Sequence, residues 1–170
     1  MKKIAIKNGL LAGGIVVAWM AIGMILMDRN VISFGGAEIF GYATMLLALS
    51  MIFFGVKSFR TQSGGTLSFG RGFMMGLYIT LIASILYVAG WMILSSFLAP
   101  DFADQYYSQF IENVKSSDKP QEEIDRLVAS YEKNKELYKK PLVKIGITFL
   151  EIFPVGLIVS LISALILRRS

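Results

Sequence analysis

The 170-residue chain contains no cysteine and no histidine. Without cysteine it can form no disulfide and no thiolate metal site. Without histidine it lacks imidazole ligands, histidine-ligated haem and a Ser-His-Asp catalytic triad. Charge is also scarce, since Asp, Glu, Lys and Arg make up only 17% of the residues. This composition excludes an ordinary soluble domain and an intrinsically disordered chain.

Hydrophobic residues, in contrast, make up 55% of the sequence and are concentrated in long stretches without charge. A bilayer core about 30 Å thick needs roughly 20 apolar residues of helix. Four stretches meet this requirement, and charged residues lie at their edges. We therefore predict an all-α integral membrane protein with a single membrane domain over residues 1–170. Its transmembrane helices are expected at about residues 9–27, 39–56, 72–98 and 145–167.

The first span follows three lysines and could be mistaken for a signal peptide. Its apolar run is too long for the hydrophobic region of a signal peptide, and no convincing cleavage site follows it. We expect it to be an uncleaved membrane anchor.

The basic residues predict how the chain is threaded through the membrane. One set of segments outside the spans has eight basic residues and no acidic one, whereas the other has nine basic residues mixed with eleven acidic ones. Because Lys and Arg are enriched in cytoplasmic loops, both termini are expected in the cytoplasm. The basic face suits anionic lipid headgroups, so no nucleic-acid partner is needed to explain the net charge of +5. The eight residues are Lys2, Lys3, Lys7, Lys57, Arg60, Arg71, Arg168 and Arg169.

The expected cytoplasmic loop at residues 57–71 is rich in glycine and contains Arg60 and Arg71. Its backbone amides could cradle an anion at the start of the third span. Alternatively, it is a flexible basic turn on the lipid headgroups. We favour the turn, because the loop lacks the spacing and the lysine of a P-loop.

Residues 101–140 form a charged segment between the third and fourth spans, with 16 charged residues. Two apolar stripes at helical spacing predict two helices, one with Tyr106 and Phe110 and the other with Leu127 and Tyr131. Each stripe is too narrow to span a membrane. We expect an extracytoplasmic helical hairpin whose helices pack together or present a surface to a partner. Alternatively, one of the helices lies in the membrane interface.

Two local signals predict the ends of helices. Asp118 is expected to cap the second outer helix, with Pro120 in its first turn. Gly35 and Gly36 are expected to form a turn between the first two spans.

Small and polar residues within the spans indicate where helices meet. Gly9 with Gly13, Gly72 with Gly76, and Ser160 with Ala164 have the spacing of close helix contacts. A polar stripe on the third span should also face protein, either for interhelical hydrogen bonding or as the lining of a cavity for a ligand or ion. This stripe contains Gly76, Thr80, Ser84, Tyr87, Trp91 and Ser95.

Glu151 is the only ionisable side chain well inside a predicted span. A charge at such depth costs at least about 2 to 3 kcal/mol, so the carboxyl is either functional or a structural link between helices. We expect Glu151 to point into the helix bundle. Its depth predicts polar neighbours on the second and third spans, and Lys144 and Thr148 precede it on its own face. The candidate intramembrane polar site contains Glu151, Thr148, Tyr87, Trp91, Ser95, Thr44 and Tyr42.

The run LSFGRGFMMG at the third span, the charged outer segment and the ending EIFPVGLIVSLISALILRRS carry a family resemblance. Together they resemble the bacterial membrane proteins catalogued as domain of unknown function 4199. The resemblance covers nearly the whole chain, and Glu151 to Arg169 is its most specific part. It implies a four-helix bacterial membrane protein of uncharacterised function, and it brings no catalytic residues.

We expect a multi-pass protein of the bacterial inner membrane, without enzymatic activity, that acts as an accessory or assembly component. No catalytic, cofactor-binding or metal-binding residue is predicted, because Asp101, Asp104 and Glu151 form no recognisable constellation. Expected partners are membrane lipids, and a second copy or another membrane protein bound through residues 101–140. The alternative is a small transport or ion-coupling protein that uses Glu151.

Overall fold

The computed structural model contains six helices and describes residues 1–29, 31–32 and 34–169, with residues 28, 34, 35, 37 and 38 described by their backbone only. Four of the helices are long and apolar enough to cross a membrane, as predicted. Over the described ranges the chain forms no strand beyond one isolated bridge. The helices are α1 (Lys2–Asp28), α2 (Phe34–Gln62), α3 (Phe69–Leu98), α4 (Phe102–Lys115), α5 (Gln121–Tyr138) and α6 (Pro141–Leu167).

The long helices extend beyond the apolar stretches that predict them. α2 continues past Lys57 to Gln62 and α3 begins at Phe69, so only residues 63–68 remain as a turn. Gly64 and Gly65 adopt φ angles of +75° and +86°, which glycine reaches without a steric penalty. The loop is shorter than predicted because intrahelical hydrogen bonds do not require apolar side chains beyond the bilayer.

Two predicted helix ends are wrong. Gly35 and Gly36 belong to the first turns of α2, because the adjoining apolar run favours helix strongly enough to offset the low helix propensity of glycine. α5 has Pro120 at its N-cap and no side-chain hydrogen bond there. Asp118 therefore lies two residues before the N-cap, whereas a capping side chain acts from the N-cap itself.

α3 is the central helix of the bundle, since it packs against α1 and α6, and α2 contacts all three. Along α1 and α3 the close approaches advance in the same sequence direction, so these helices are parallel. Three glycines lie at this contact, and a Cβ atom added at any of them would collide with a side chain of the opposite helix. The close contacts predicted at Gly9 and Gly13 of α1 are therefore confirmed. The facing pairs are Gly9 with Ile82, Gly13 with Leu86 and Gly90 with Val17.

α3 and α6 pack antiparallel through their small residues. Gly76 faces Ser160, and Gly156 faces Thr80, while Gly72 lies against Ala164. Buried apolar residues of α2, α3 and α6 continue the core beside this contact, among them Leu49, Ile52, Met75, Ile79 and Ile152. The predicted packing role of the small residues on α3 and α6 is confirmed.

The eight basic residues of the acid-free segments lie at one end of the bundle. The start of α1 is at this end because α1 and α3 are parallel. Asn8 of α1 lies beside Gly55, which brings the end of α2 here as well. The end of α6 is held by two main-chain hydrogen bonds, from Leu67 N to Arg169 O at 2.8 Å and from Arg169 N to Leu67 O at 2.9 Å.

α4 and α5 pack against each other at the opposite end of α3. The rings of Phe110 and Tyr131 stack with centroids 5.6 Å apart. Asp104 on α4 forms ion pairs with two lysines at the end of α5. Its Oδ1 atom lies 3.3 Å from Lys139 Nζ and 3.7 Å from Lys135 Nζ. Because the start of α4 meets the end of α5, the two helices run in opposite directions.

Candidate polar site between α3 and α6

The polar stripe of α3 faces α6 along most of its length. In its buried part, the Thr80 and Ser160 hydroxyl oxygens are 3.0 Å apart, and Ser160 Oγ donates to the carbonyl of Gly156 at 2.7 Å. Since the Ser160 proton is used for that carbonyl, the Thr80 hydroxyl donates to Ser160. Ser84 Oγ is also buried, and it has no hydrogen-bond partner within the described part of the chain. This half of the stripe joins two helices.

Glu151 lies at the edge of the α3–α6 contact. The Tyr87 hydroxyl donates to Glu151 Oε2 at 3.1 Å, so the structure brings these two predicted site residues together. Tyr87 is buried, whereas Glu151 is exposed. α6 turns Thr148, Ile152 and Gly156 toward the core, and each is buried. Glu151 precedes Ile152 by one position, which places its side chain at the margin of the bundle. The prediction that Glu151 points into the bundle is therefore wrong.

Thr148, Ser95 and Trp91 lie one to two helical turns farther along the contact, around Lys144. The Lys144 ammonium donates to Ser95 Oγ at 2.6 Å, and Thr148 Oγ1 donates to the Lys144 carbonyl at 2.8 Å. Lys144 Nζ also lies 5.8 Å from the ring centroids of both Trp91 and Tyr138, within the range of a cation–π interaction. Lys144 therefore links α6 to the C-terminal end of α3.

Tyr138, at the end of α5, was not predicted as a site residue. Its hydroxyl accepts a hydrogen bond from Trp91 Nε1 at 2.8 Å. Burial raises the pKa of Tyr138 to about 12, with a smaller contribution from the charge of Glu151, although the Trp91 hydrogen bond opposes the shift. The hydroxyl is therefore neutral at physiological pH. The apolar stripe of α5 indicates that Tyr138 is shielded, but no spacing in the sequence identifies Trp91 as its partner.

The two predicted site residues on α2 are less closely involved. The Thr44 hydroxyl is buried and donates at 2.8 Å to the carbonyl of Phe40 in its own helix. Tyr42 is exposed and lies within electrostatic range of Tyr87. The structure thus assembles the polar cluster chiefly from α3, α6 and the end of α5.

The same cluster attaches the α4–α5 pair to the bundle. The ring of Phe102, at the start of α4, packs edge-on against Trp91 with centroids 4.8 Å apart. Trp91 therefore contacts α4 through its ring and α5 through its N–H group. Tyr107 of α4 packs against Tyr138, which adds a further contact between α4 and α5.

The chemistry available in this cluster is hydrogen bonding and charge. It combines one carboxylate, one ammonium group and several hydroxyl groups. Across the residues that the structure describes, no group of three His, Cys, Asp or Glu side chains is placed to hold a metal ion. The arrangement can hold helices together, and it can hold a proton or a cation at Glu151.

The comparisons with known proteins agree with the family resemblance in the sequence. The family model described as Protein of unknown function (DUF4199) matches residues 7–169, which is nearly the whole chain. No curated protein and no solved structure matches the chain. The match confirms the resemblance.

Proposed function

Because the chain belongs to the family described as Protein of unknown function (DUF4199), which specifies no activity, we propose a function from the geometry. The protein is a non-enzymatic accessory or assembly component of the bacterial inner membrane. Its α4–α5 pair is an extracytoplasmic helical hairpin that presents a polar surface to a membrane-protein partner or a second copy.

The observation that carries this proposal is the double contact of Trp91 with the hairpin. Its ring packs on Phe102, and its N–H group donates to Tyr138. Joining two spans requires only a short turn, so a folded helical pair fixed at both of its ends supports a role beyond connection. A surface held in one orientation loses less conformational entropy on binding than a flexible loop does.

The charges support the orientation. Eight basic residues without an acidic one lie at the end opposite the hairpin, which favours that end for the cytoplasm. The exposed face of α5 carries acidic and basic side chains, which suits a polar partner surface. They are exposed at Glu122, Asp125, Arg126, Glu132 and Lys133.

Site-specific photocrosslinking in native membranes tests the proposal. A photoreactive residue at Arg126 or Lys133 should give a discrete crosslinked product, and Trp91→Ala should abolish it by releasing the hairpin. A photoreactive residue at Leu47, which is exposed on α2, is the matched control on the bundle surface. If neither hairpin position gives a product, or if the products survive Trp91→Ala unchanged, the proposal is wrong.

A transport or ion-coupling function is the second candidate, and the Tyr87–Glu151 hydrogen bond favours it. A carboxylate at the exposed edge of an intramembrane contact, hydrogen-bonded to the Tyr87 hydroxyl, can exchange a proton or a cation. Proteoliposomes should then show an ion flux that Glu151→Gln and Tyr87→Phe abolish while stability is retained. Glu132→Gln, on the exposed face of α5, is the matched control. Without a Glu151-dependent flux, the carboxyl is structural.

A structural carboxyl predicts a different pattern of stability. Glu151→Gln should then cost little, because the amide oxygen can still accept the Tyr87 hydroxyl. Glu151→Leu should cost about 1 to 3 kcal/mol, because it leaves that donor without its acceptor. Unfolding in mixed detergent micelles separates the two substitutions.

A further inference from the structure

A cavity bordered by arginines lies at the basic end of the bundle, away from the hairpin and from Glu151. It has a volume of about 710 Å³ and opens to the exterior. Three arginines border it, Arg71 at the start of α3 and Arg168 and Arg169 at the end of α6. The turn that contains Thr66 and Leu67 forms its remaining wall.

Main-chain hydrogen bonds and one ring contact position the segments that carry these arginines. The paired hydrogen bonds between Leu67 and Arg169 join the turn to the end of α6, and the Leu67 side chain is only 1% exposed. The Arg71 guanidinium lies 5.2 Å from the ring centroid of Phe59 on α2. The cavity is therefore built from three packed segments and is not the surface of a free tail.

The segments that border the cavity supply no side-chain carboxylate to balance these charges. Residues 39–100 and 152–170 contain no Asp or Glu. None of the ion pairs found among the described residues involves Arg71, Arg168 or Arg169. Three cations around one cavity repel one another unless an anion lies between them. The planar guanidinium group matches the oxygens of a phosphate in a bidentate geometry.

We propose that this cavity binds the phosphate of an anionic lipid headgroup through guanidinium hydrogen bonds. Arg71 and Arg168 directly flank the apolar parts of α3 and α6, which is the depth of the headgroups. Phe69 also lines the cavity, and its exposed ring stacks on Phe73 with centroids 6.1 Å apart. This apolar surface beside the arginines favours a lipid over free phosphate. The proposal does not depend on partner binding by the hairpin.

The test measures lipid retention by the full-length protein. Protein in nanodiscs of phosphatidylcholine and phosphatidylglycerol is released into the mass spectrometer, and the phosphatidylglycerol that stays bound is counted. The test variant is Arg168→Gln with Arg169→Gln, which leaves the main-chain bridge to Leu67 intact. The matched control is Lys2→Gln with Lys3→Gln, because these lysines line a separate cavity at the same end.

We expect the double arginine substitution to weaken phosphatidylglycerol binding about 30-fold, and the double lysine substitution less than about threefold. Equal losses in both variants would overturn the site and indicate diffuse attraction. Arg168→Lys with Arg169→Lys retains the charge and the main-chain bridge to Leu67, yet it removes the guanidinium geometry. We expect intermediate binding from it, and wild-type binding would overturn recognition through guanidinium groups.

A competition experiment separates the lipid from free phosphate. Millimolar inorganic phosphate should not displace phosphatidylglycerol from the wild-type protein. Displacement that depends on Arg168 and Arg169 would show that the cavity takes the free anion, and the lipid assignment would then be wrong.

Discussion

Replacing Gly76 with alanine should destabilise the bundle, because the α3–α6 contact leaves no room for a methyl group. A Cβ atom at Gly76 would lie 2.7 Å from Ser160 Cβ, 2.8 Å from Ser160 Oγ and 3.1 Å from Ser160 Cα. The Cα atom belongs to the backbone, so a rotamer change cannot relieve the clash. The helices must therefore separate, which also stretches the hydroxyl bond between Thr80 and Ser160.

The expected cost follows from these contacts. Overpacking a close-packed interface costs about 1 to 3 kcal/mol. Loss of an interhelical hydrogen bond in a membrane adds about 0.6 kcal/mol. The higher helix propensity of alanine offsets about 0.5 to 1 kcal/mol of this destabilisation. The net destabilisation from Gly76→Ala is therefore about 1 to 3 kcal/mol.

Unfolding by sodium dodecyl sulfate in mixed micelles, followed by circular dichroism, measures this difference. Gly146→Ala on α6 is the matched control, because a Cβ there meets no atom within 4 Å. It should be neutral or slightly stabilising. Adding Ser160→Gly to Gly76→Ala should restore part of the stability by removing the clashing Cβ. Equal stability of the Gly76 and Gly146 variants would refute the close approach of α3 and α6.

Three further predictions concern topology and the hairpin. Alkaline phosphatase fused after Leu67 should be inactive and fused after Lys119 should be active; the reverse pattern would invert the orientation. Trp91→Phe removes the donor to Tyr138, so a cysteine introduced at Phe102, where α4 meets α3, should react several-fold faster with a water-soluble maleimide. An unchanged rate would contradict the attachment through this hydrogen bond. The raised pKa of Tyr138 means that its contribution to stability is complete below pH 10.0 and is lost as the pH rises toward about 12. The tyrosinate absorbance difference between wild type and Tyr138→Phe should therefore titrate near 12, and a midpoint near 10 would show an exposed ring.

Much of the fold could be predicted from the sequence because bilayer thickness imposes a length on each apolar helix. Close helix contacts at Gly76 and Ser160 could also be predicted, since small residues at that spacing allow helices to approach closely. The helix ends were harder to predict. Asp118 has the residue type of a cap, but the position of the cap depends on where the backbone first becomes helical, and Pro120 determines that here.

The sequence predicts which residues belong to the polar site better than it predicts how they are arranged. The one-face periodicity of α3 identifies Tyr87, Trp91 and Ser95, and all three contact polar groups of α5 or α6. The edge position of Glu151 depends on which face of α6 meets α3, and each residue step turns a helix by 100°. The contact between Trp91 and Tyr138 depends on the return of α5 to the bundle. Such tertiary placement has no periodic signal in the sequence.

The central position of α3 has a consequence for biogenesis. Ribosomes synthesise the chain from its N-terminus, so α1, α2 and α3 enter the bilayer before α6 exists. During that interval the hydroxyls of Thr80 and Tyr87 lack their acceptors on α6, and their exposure to hydrocarbon is costly. The unfinished three-helix intermediate can lower this cost by pairing with another polar helix. An insertase that shields this face until α6 arrives would therefore limit misassembly and set the yield of folded protein.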